Sequence, residues 1–378
     1  MNITTQAVQI GLQWDTRTGA VTVPVYQTAT FKHPGLGQST GYDYTRSGNP
    51  TRQALEEGIA RLDGGVRGFA YSSGMAAIAN LLLLFRKGDH LIVTEDLYGG
   101  TYRLFEKIFR QYDLDFTYVD TSDISKVERA IRPETRALFV ESLTNPLLKV
   151  ADVRGLAALC KDRGMLCIVD NTFLTPYLQR PLELGADITV YSATKYLAGH
   201  NDTVAGLVVV KDPELAEKVY FLQNSVGAVL GPQDSWLVIR GMKTLGVRLD
   251  RQQENALKIA RWLQAHPKVG TVHYPGLAGH PGRETLREQA RGFGAMVAFE
   301  VVDPSLVEQV LLKTELISFA ESLGGVETLI TFPEVQTHAD ILPETRARLG
   351  INNLLLRLSV GIEDGDDLIG DLAQAFES

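Results

Sequence analysis

Residues 153–171 read VRGLAALCKDRGMLCIVDN, an amphipathic helical pattern followed by a short apolar strand. Apolar residues recur at helical spacing over 153–163, and the strand predicted over 166–169 ends at Asp170. Similar strands are predicted over 68–71, 91–94, 116–119, 137–140, 188–191 and 207–210. Further helices are predicted over 75–85, 102–112, 124–131 and 213–222. This alternation predicts an α/β protein with a mostly parallel central sheet that helices cover on both faces.

The two ends of the chain follow different patterns. Glycine and proline interrupt every period over residues 1–48, and a long loop of this kind is either functional or reaches a partner. A helix capped by Asn49 then opens a large domain, which is predicted over 49–234. From Ser235 a long helical pattern continues to about residue 264. The strands predicted beyond it lie over 296–301, 327–332 and 354–360. Residues 235–378 are therefore predicted to hold a long linker helix and a smaller C-terminal α+β domain.

The composition is that of a soluble globular protein, with 44% hydrophobic and 22% charged residues. The 37 basic and 45 acidic residues give a net charge of −8, which argues against nucleic acid or an anionic membrane as a partner. No apolar stretch approaches the length that crosses a bilayer and no signal peptide is visible, so we expect a cytoplasmic location. The two cysteines and the seven scattered histidines match no metal-site spacing, so no metal is predicted.

Three features lie where predicted strands of the large domain end. Ser73, Gly74 and Met75 join a strand to a helix, and the free N–H groups of such a helix start can bind a phosphate. Asp170 ends an apolar strand, where a buried carboxylate can face a cationic ring nitrogen. Lys195 follows another strand among small and hydroxylated residues, where a lysine can lose its proton and attack a carbonyl. Taken separately, these features also fit a serine-capped turn, a helix cap and a surface lysine.

Together the three features meet the needs of pyridoxal phosphate (PLP), which requires a phosphate cradle, an acid at its ring nitrogen and a lysine for its aldehyde. Tyr98 also follows a strand and could stack on the ring, and Arg357 lies on a partly apolar strand where it could bind a substrate carboxylate. The chain has neither a G-x-G-x-x-G nor a G-x-x-x-x-G-K-[ST] motif, which disfavours a nucleotide-linked α/β enzyme. A cofactor-free binding protein would share the alternation of strands and helices but would not need Lys195, Asp170 and Tyr98 at successive strand ends.

These residues belong to longer segments that resemble the cysteine/methionine-metabolism family of PLP enzymes, which comprises cystathionine γ-synthases, γ-lyases and β-lyases and methionine γ-lyase. The matching segments are YTRSGNPT (44–51), SGM (73–75), DLYGGT (96–101), TNP (144–146), VDNT (169–172), YSATKY (191–196), ESLGGVE (321–327) and RLSVG (357–361). They extend nearly from end to end of the chain. The resemblance implies an aspartate-aminotransferase-like (fold type I) α/β fold and a homotetramer built from two dimers that share active sites.

The resemblance also implies a role for each matching residue. Lys195 would carry the cofactor and move protons, Asp170 would face the pyridine nitrogen, and Tyr98 would stack on the ring and assist proton transfer. The phosphate would be held by Gly74, Met75, Ser192 and Thr194, and by Tyr44 and Arg46, which would reach a neighbouring subunit from the arm formed by residues 1–48. The substrate carboxylate would be held by Asn145, Ser322 and Arg357.

A few positions favour one reaction of this family over another. Position 100 is Gly, whereas methionine γ-lyases resemble one another in having Cys there, and this difference disfavours methionine γ-lyase activity. Glu321 is similar to the acid found in γ-synthases and γ-lyases and, with Asp43, could bind the distal ammonium of cystathionine or cysteine. The run QTHADI over 336–341 is more similar to bacterial γ-synthases. We therefore expect a cystathionine γ-synthase, which replaces the acyl group of an O-acylhomoserine with cysteine. Cystathionine γ-lyase, β-lyase and O-acylhomoserine sulfhydrylase are the alternatives.

Overall fold

Two sheets organise the protein. The computed structural model describes residues 1–12, 14–337 and 343–377. Within these residues the larger sheet has seven strands, which are β1 (Arg67–Tyr71), β2 (His90–Thr94), β3 (Asp115–Val119), β4 (Thr135–Glu141), β5 (Leu166–Asp170), β6 (Ile188–Ser192) and β7 (Gly206–Val210). Their order across the sheet is β1-β7-β6-β5-β4-β2-β3. Strands β2 to β6 pair in parallel, whereas β7 runs antiparallel to β1 and β6, which confirms the mostly parallel sheet.

Both faces of this sheet are buried. Along β7, Leu207 and Val209 belong to one hydrophobic core, while Val208 and Val210 belong to the other. Strands that are buried on both faces read as continuous apolar runs, which is why they could be predicted. The helices of this half, in chain order, are α1 (Ile3–Val8), α2 (Pro50–Asp63), α3 (Gly74–Leu82), α4 (Gly99–Lys107), α5 (Ile124–Arg129), α6 (Val153–Arg163), α7 (Thr175–Leu178), α8 (Pro181–Leu184) and α9 (Pro213–Val226), with a 3₁₀ turn at Phe109–Tyr112.

The second half of the chain is built around a smaller sheet. Its strands among the described residues are β8 (Val269–His273), β9 (Met296–Val301), β10 (Ser318–Phe319), β11 (Leu329–Thr331) and β12 (Leu355–Ser359), in the order β10-β11-β12-β9-β8. Its helices are α10 (Pro232–Met242), α11 (Leu245–Ala265), α12 (Arg283–Gln289), α13 (Ser305–Lys313), α14 (Pro343–Leu349) and α15 (Gly365–Glu377). Strands β8 and β10 were not predicted. Both lie at sheet edges and are partly or fully exposed, so they lack the apolar run of a buried strand.

The single long helix predicted from Ser235 to about residue 264 is wrong, because two helices occupy this stretch. Helix α10 ends at Met242, and α11 begins at Leu245. The buried side chain of Arg248 stabilises the junction between the two helices, since it donates hydrogen bonds to the carbonyl of Gly241 (2.8 Å) and to that of Tyr196 (2.9 Å). The predicted domain boundary at residue 235 therefore lies inside α10, which packs against α2.

The N-terminal residues include a helix that the glycine and proline pattern did not predict. Helix α1 follows Asn2, whose side chain accepts a hydrogen bond from the N–H of Thr4. It packs against α2 and α11 and buries Ile3 and Ala7, with Ile10 buried just beyond its end. The spacing of these three apolar residues was the available signal. None of the helices in the described part of the chain combines the length and the apolar character needed to cross a membrane.

Gly241, in the last turn of α10, lies where the two halves of the chain pack closely, so a substitution there tests this packing. A β-carbon at this position would collide with the carbonyl oxygen of Ala198. We expect Gly241→Ala to lower the free energy of unfolding by about 1–3 kcal/mol, because backbone must move to admit the methyl group. Gly370→Ala in α15 is the matched control, since a β-carbon there meets nothing within 4 Å and alanine favours a helix by about 0.5–1 kcal/mol. Chemical denaturation measures both variants, and equal stabilities would contradict the close approach.

Candidate active site

A cavity of about 340 Å³ lies at the carboxyl ends of the parallel strands. Glu141, Asp170 and Ser192 are the last residues of β4, β5 and β6, and all three line it. Parallel strands place their carboxyl ends at one edge of the sheet, where open α/β proteins bind ligands. The sequence-predicted residues that line the cavity are Gly74, Met75, Tyr98, Asn145, Asp170, Ser192, Thr194, Lys195, Glu321, Ser322 and Arg357. Residues from both halves of the chain therefore meet at one cavity.

Lys195 is buried under the loop that contains residues 321–325. Its Nζ donates a hydrogen bond to Ser322 Oγ (2.7 Å). Burial, and next the positive charge of Arg357, lower the pKa of Lys195 from 10.5 to about 8. Ser322 has a φ of 88°, a left-handed conformation that costs a serine energy and that the surrounding structure imposes. The lowered pKa makes Lys195 a better nucleophile and proton acceptor at neutral pH than an ordinary lysine.

Arg357 is buried in β12 with 1% of its surface exposed. Its Nη1 donates to Asn145 Oδ1 (2.7 Å) and its Nη2 to the carbonyl of Ser322 (3.1 Å). Among the described residues its Nε has no hydrogen-bond partner, and burial lowers the pKa of the guanidinium to about 10. A buried guanidinium with a free N–H in a cavity wall is suited to a carboxylate supplied by a ligand.

The start of α3 forms a narrow cradle against β6 and β7. The Oγ of Ser73 caps the helix by accepting a hydrogen bond from the N–H of Ala76 (3.0 Å). The N–H groups of Gly74 and Met75 have no partner within the helix, as is usual in a first turn. A β-carbon at Gly74 would lie 3.0 Å from Cβ of Ser192, and one at Gly206 would collide with the Ser73 carbonyl. These N–H groups and the nearby hydroxyl of Ser192 could hold the oxygens of a phosphate.

Two acids, Glu141 and the partly buried Asp170, lie side by side at the ends of neighbouring strands. Glu141 of β4 is paired in register with Asp170 of β5. Burial raises the pKa of both carboxyls, and the neighbouring charge of Asp170 raises the pKa of Glu141 further. Asp170 accepts a hydrogen bond from the N–H of Thr172 (3.0 Å). A cationic ring nitrogen placed beside these acids would relieve their repulsion, so the pair fits such a ligand.

The sequence reasoning did not single out Glu141. Its signal was the same as that of Asp170, an acid that directly ends an apolar strand, but the strand was predicted over 137–140 only. Other lining residues outside the predicted set include Leu143, Thr172, Phe173 and Thr337. Most of these follow a strand end or a helix start by one to three residues, a position that sequence cannot separate from an ordinary loop.

Tyr98 precedes α4 and has 44% of its surface exposed. Its N–H donates to Glu141 Oε1 (2.9 Å), which ties the start of α4 to the end of β4. A β-carbon at Gly100 would collide with the Tyr98 ring. Glycine at position 100 therefore allows the ring to lie over the first turn of α4.

The predicted arm residues do not join this cavity within one chain. Asp43, Tyr44 and Arg46 are not among the described residues that line it. The Asp43 carboxylate accepts a hydrogen bond from Ser39 Oγ (2.6 Å), and the guanidinium of Arg46 lies 5.7 Å from the centre of the Tyr44 ring. Their proposed roles at a neighbouring subunit remain predictions. Of the run over 336–341, residues 338–341 lie outside the described part of the chain.

Comparison with known proteins identifies close relatives over the full length. A family model described as Cys/Met metabolism PLP-dependent enzyme matches residues 4–377. The chain is 52% identical to the cystathionine γ-lyase of Bacillus subtilis (strain 168), with 97% of each chain covered. It is 51% identical to the cystathionine β-lyase of Lactococcus lactis subsp. cremoris (strain MG1363), with 100% of this chain and 99% of the relative covered.

A solved structure shows the same similarity in three dimensions. The cystathionine γ-synthase of Xanthomonas oryzae pv. oryzae, in complex with cystathionine, superposes with a TM-score of 0.98 at 42% identity. The alignment covers 100% of this chain and 98% of that one. This superposition, together with the family match over residues 4–377, confirms the fold type I α/β architecture.

The cavity fits the cofactor of these relatives on its own chemistry. The cradle at α3, the acids at the ends of β4 and β5 and a lysine of lowered pKa meet the three requirements of PLP. The family match confirms PLP as the cofactor and amino acids as the class of substrate. The relatives are named for different reactions, so side chains of the cavity must determine the precise reaction. The chain therefore belongs to the Cys/Met-metabolism family of PLP-dependent enzymes and is a trans-sulfuration enzyme of the cystathionine γ-synthase, γ-lyase and β-lyase type.

Proposed function

We propose that the enzyme is a cystathionine γ-synthase. In this reaction the sulfur of cysteine forms a bond to the γ-carbon of an O-acylhomoserine, and the acyl group leaves as a carboxylate. The observation that carries the proposal is the presence of two opposite charges in one cavity. Arg357 is buried and suits the α-carboxylate of the homoserine ester, whereas Glu321 is exposed and suits the ammonium group of the incoming cysteine.

The residues of the chain would divide the remaining work between them. When bound, PLP draws electrons from the amino acid that it holds, so that protons leave the α- and β-carbons more readily. Asp170 would accept the hydrogen bond of the ring N–H. Lys195 would hold the cofactor at rest and, once an amino acid has taken its place, would accept the α-proton and then the β-proton. Tyr98 would stack on the ring and assist these proton transfers.

Binding groups would orient the two ligands around this centre. The N–H groups of Gly74 and Met75 and the hydroxyls of Ser192 and Thr194 would hold the phosphate. Asn145, Ser322 and Arg357 would hold the α-carboxylate of the substrate. Since the Lys195 Nζ lies within hydrogen-bond distance of Ser322 Oγ, the proton acceptor and the carboxylate site are adjacent. This proximity suits a base that must reach the carbon next to the carboxylate.

Cleavage of cystathionine is the second candidate, because the γ-lyase and β-lyase named above share about half of their residues with this chain. Cystathionine carries an amino-acid group at each end, so Arg357 could bind one carboxylate and Glu321 the distal ammonium. For β-elimination Lys195 would need to remove only the α-proton, and for γ-elimination the α-proton and then the β-proton. In both cases the carbon–sulfur bond would break and the sulfur would leave as a thiol after gaining a proton. The γ-lyase and β-lyase reactions differ in which of the two carbon–sulfur bonds breaks.

One experiment separates these reactions. Enzyme supplied with O-acetyl- or O-succinylhomoserine plus cysteine should form cystathionine, which mass spectrometry quantifies, and sulfide in place of cysteine tests the sulfhydrylase alternative. A parallel reaction contains cystathionine alone. Release of 2-oxobutanoate there identifies a γ-lyase and release of pyruvate a β-lyase, and either result without γ-replacement contradicts the proposal.

Glu321→Gln should raise the KM for cysteine about tenfold and leave the KM for the ester nearly unchanged, because the variant loses the negative charge proposed to bind the ammonium of cysteine.

The lowered pKa of Lys195 predicts how the apoprotein takes up its cofactor. The neutral amine is the nucleophile, so the rate of covalent PLP capture should rise about tenfold per pH unit up to about pH 8 and then level off. Stopped-flow measurement of the yellow colour follows this rate, and Nα-acetyl-lysine is the control amine. A capture rate that continues to rise as steeply as that of the control above pH 9 would show that Lys195 has an ordinary pKa.

The arm is the basis of a proposal about assembly. We propose that residues 1–48 complete the site of a neighbouring subunit in a homotetramer of two active-site-sharing dimers. Tyr44 is 49% exposed and is paired with Arg46 outside its own cavity. Within one chain, the described residues of the phosphate cradle supply N–H and hydroxyl groups but no guanidinium, which Arg46 would add.

Subunit mixing tests this arrangement. Lys195→Ala and the double variant Tyr44→Phe/Arg46→Ala should each lose most activity alone. After the two are mixed through dissociation and reassociation, roughly a quarter of the wild-type activity should return. About half of randomly formed dimers are then mixed, and one of their two sites carries no substitution. If native mass spectrometry shows mixed dimers but activity does not return, the sites are not shared.

A further inference from the structure

Two buried acids outside the proposed catalytic set join the loop that carries Tyr98 to the loop that carries Asn145. Glu141 Oε1 accepts a hydrogen bond from the N–H of Tyr98 (2.9 Å), and the backbone N–H of Asn145 faces the Glu141 carboxylate and counters the rise in its pKa that burial causes. Thr144 Oγ1 donates to Asp96 Oδ2 (2.6 Å). The segment between β2 and α4 is thus attached twice to the segment that follows β4.

Each of the two segments carries one functional group of the cavity. Tyr98 supplies the ring proposed to stack on the cofactor, and it has no side-chain hydrogen bond that caps α4. Asn145 Oδ1 accepts the hydrogen bond of Arg357 Nη1, so its position determines where the guanidinium points. The Glu141 carboxylate touches the backbone of both residues. A shift of this one carboxylate would therefore displace both groups.

The surroundings of Glu141 hold its carboxylate in a fixed position. Its side chain is 6% exposed, and its own N–H lies 3.3 Å from Thr94 Oγ1, to which it donates. A buried carboxylate is costly unless hydrogen-bond donors surround it, and here two backbone N–H groups do so. Backbone donors at the ends of packed elements move little, which gives the carboxylate a defined direction. Asp96, which is fully buried and also bonded across the two segments, supports the same junction.

We propose that Glu141 is a positioning residue for the trans-sulfuration reaction. Through its hydrogen bond to the backbone of Tyr98 and its position against the backbone N–H of Asn145, it sets the direction of the stacking ring and, by way of Asn145, of the guanidinium that binds the substrate carboxylate. The inference rests on the roles proposed above for Tyr98 and Arg357. Glutamine at position 141 has nearly the same shape but carries no charge, so its amide oxygen accepts more weakly than the carboxylate and its NH₂ group cannot accept at all, which loosens the hold on the N–H of Tyr98.

The test compares Glu141→Gln with Glu134→Gln. Glu134 precedes β4 at its opposite end and is exposed, so the same change of residue there controls for lost charge. We expect Glu141→Gln to bind PLP stoichiometrically but to lower kcat about tenfold and to raise the KM for the amino-acid substrate about tenfold. The circular dichroism of the bound cofactor should also change, because it reports the orientation of groups around the ring. Glu134→Gln should leave all three quantities unchanged.

A double-mutant cycle with Tyr98→Ala decides whether Glu141 acts through the Tyr98 ring or directly on the cofactor through its neighbour Asp170. If Glu141 acts through the ring, its substitution should lower kcat by less than about threefold in the Tyr98→Ala background, where there is no ring to position. An equal loss of kcat in both backgrounds, or kinetics and dichroism like those of Glu134→Gln, would overturn the proposal. If Glu141→Gln fails to fold, Thr144→Val removes the second link between the same segments and should give smaller changes in the same direction.

Two further variants separate a failure of this inference from a failure of the proposed function. Tyr98→Phe and Arg357→Lys should each impair turnover by themselves. Wild-type kinetics in both would remove the roles on which the inference rests, and the proposal would fall with them. If both impair turnover while Glu141→Gln and Thr144→Val behave as wild type, only the positioning role of Glu141 is overturned.

Discussion

Lys195 is buried because the loop over 321–325 lies directly against the turn that carries it. Gly324, at a φ of 80°, approaches so closely that a β-carbon would lie 2.6 Å from the nitrogen of Tyr196. On the other side, Arg248 donates to the carbonyl of Tyr196 and holds the same turn against α10 and α11. This contact forms one wall of the cavity at the strand ends and shields Lys195 from much of the solvent. The lowered pKa of the lysine and the placement of Ser322 both follow from it.

Charges of both signs are then confined to one dry cavity. Lys195 and Arg357 are cationic, and Asp170 and Glu141 are acidic. Burial works against the charged form of each, lowering the pKa of the first two and raising that of the others. A ligand with a phosphate, a ring nitrogen that binds a proton and a carboxylate offers each group a partner. Such complementarity is how a preorganised site binds a charged cofactor without large rearrangement.

The relatives show that the shared fold and cofactor site do not by themselves determine which reaction is catalysed. A γ-lyase, a β-lyase and a γ-synthase share the family of this chain, and the γ-synthase superposes on it with a TM-score of 0.98. The fold therefore accounts for cofactor binding and proton transfer, which all three reactions need. The choice among them is left to side chains around the cavity, and contact with the distal part of the substrate is the role that we propose for Glu321.

Local pattern in the sequence was sufficient for the buried strands, for the fold class and for residues such as Asp170 and Lys195, because apolar runs and strand ends are defined by neighbouring residues. It was insufficient for the break between α10 and α11, for the edge strands and for Glu141. Those depend on contacts between distant residues: Arg248, just after the helix break, donates to the carbonyl of Tyr196 52 residues away, and Glu141 accepts from the N–H of Tyr98 43 residues away. The lowered pKa of Lys195 likewise required the tertiary structure, since burial and the charge of Arg357 cause it and only packing of the two halves brings these influences to the lysine.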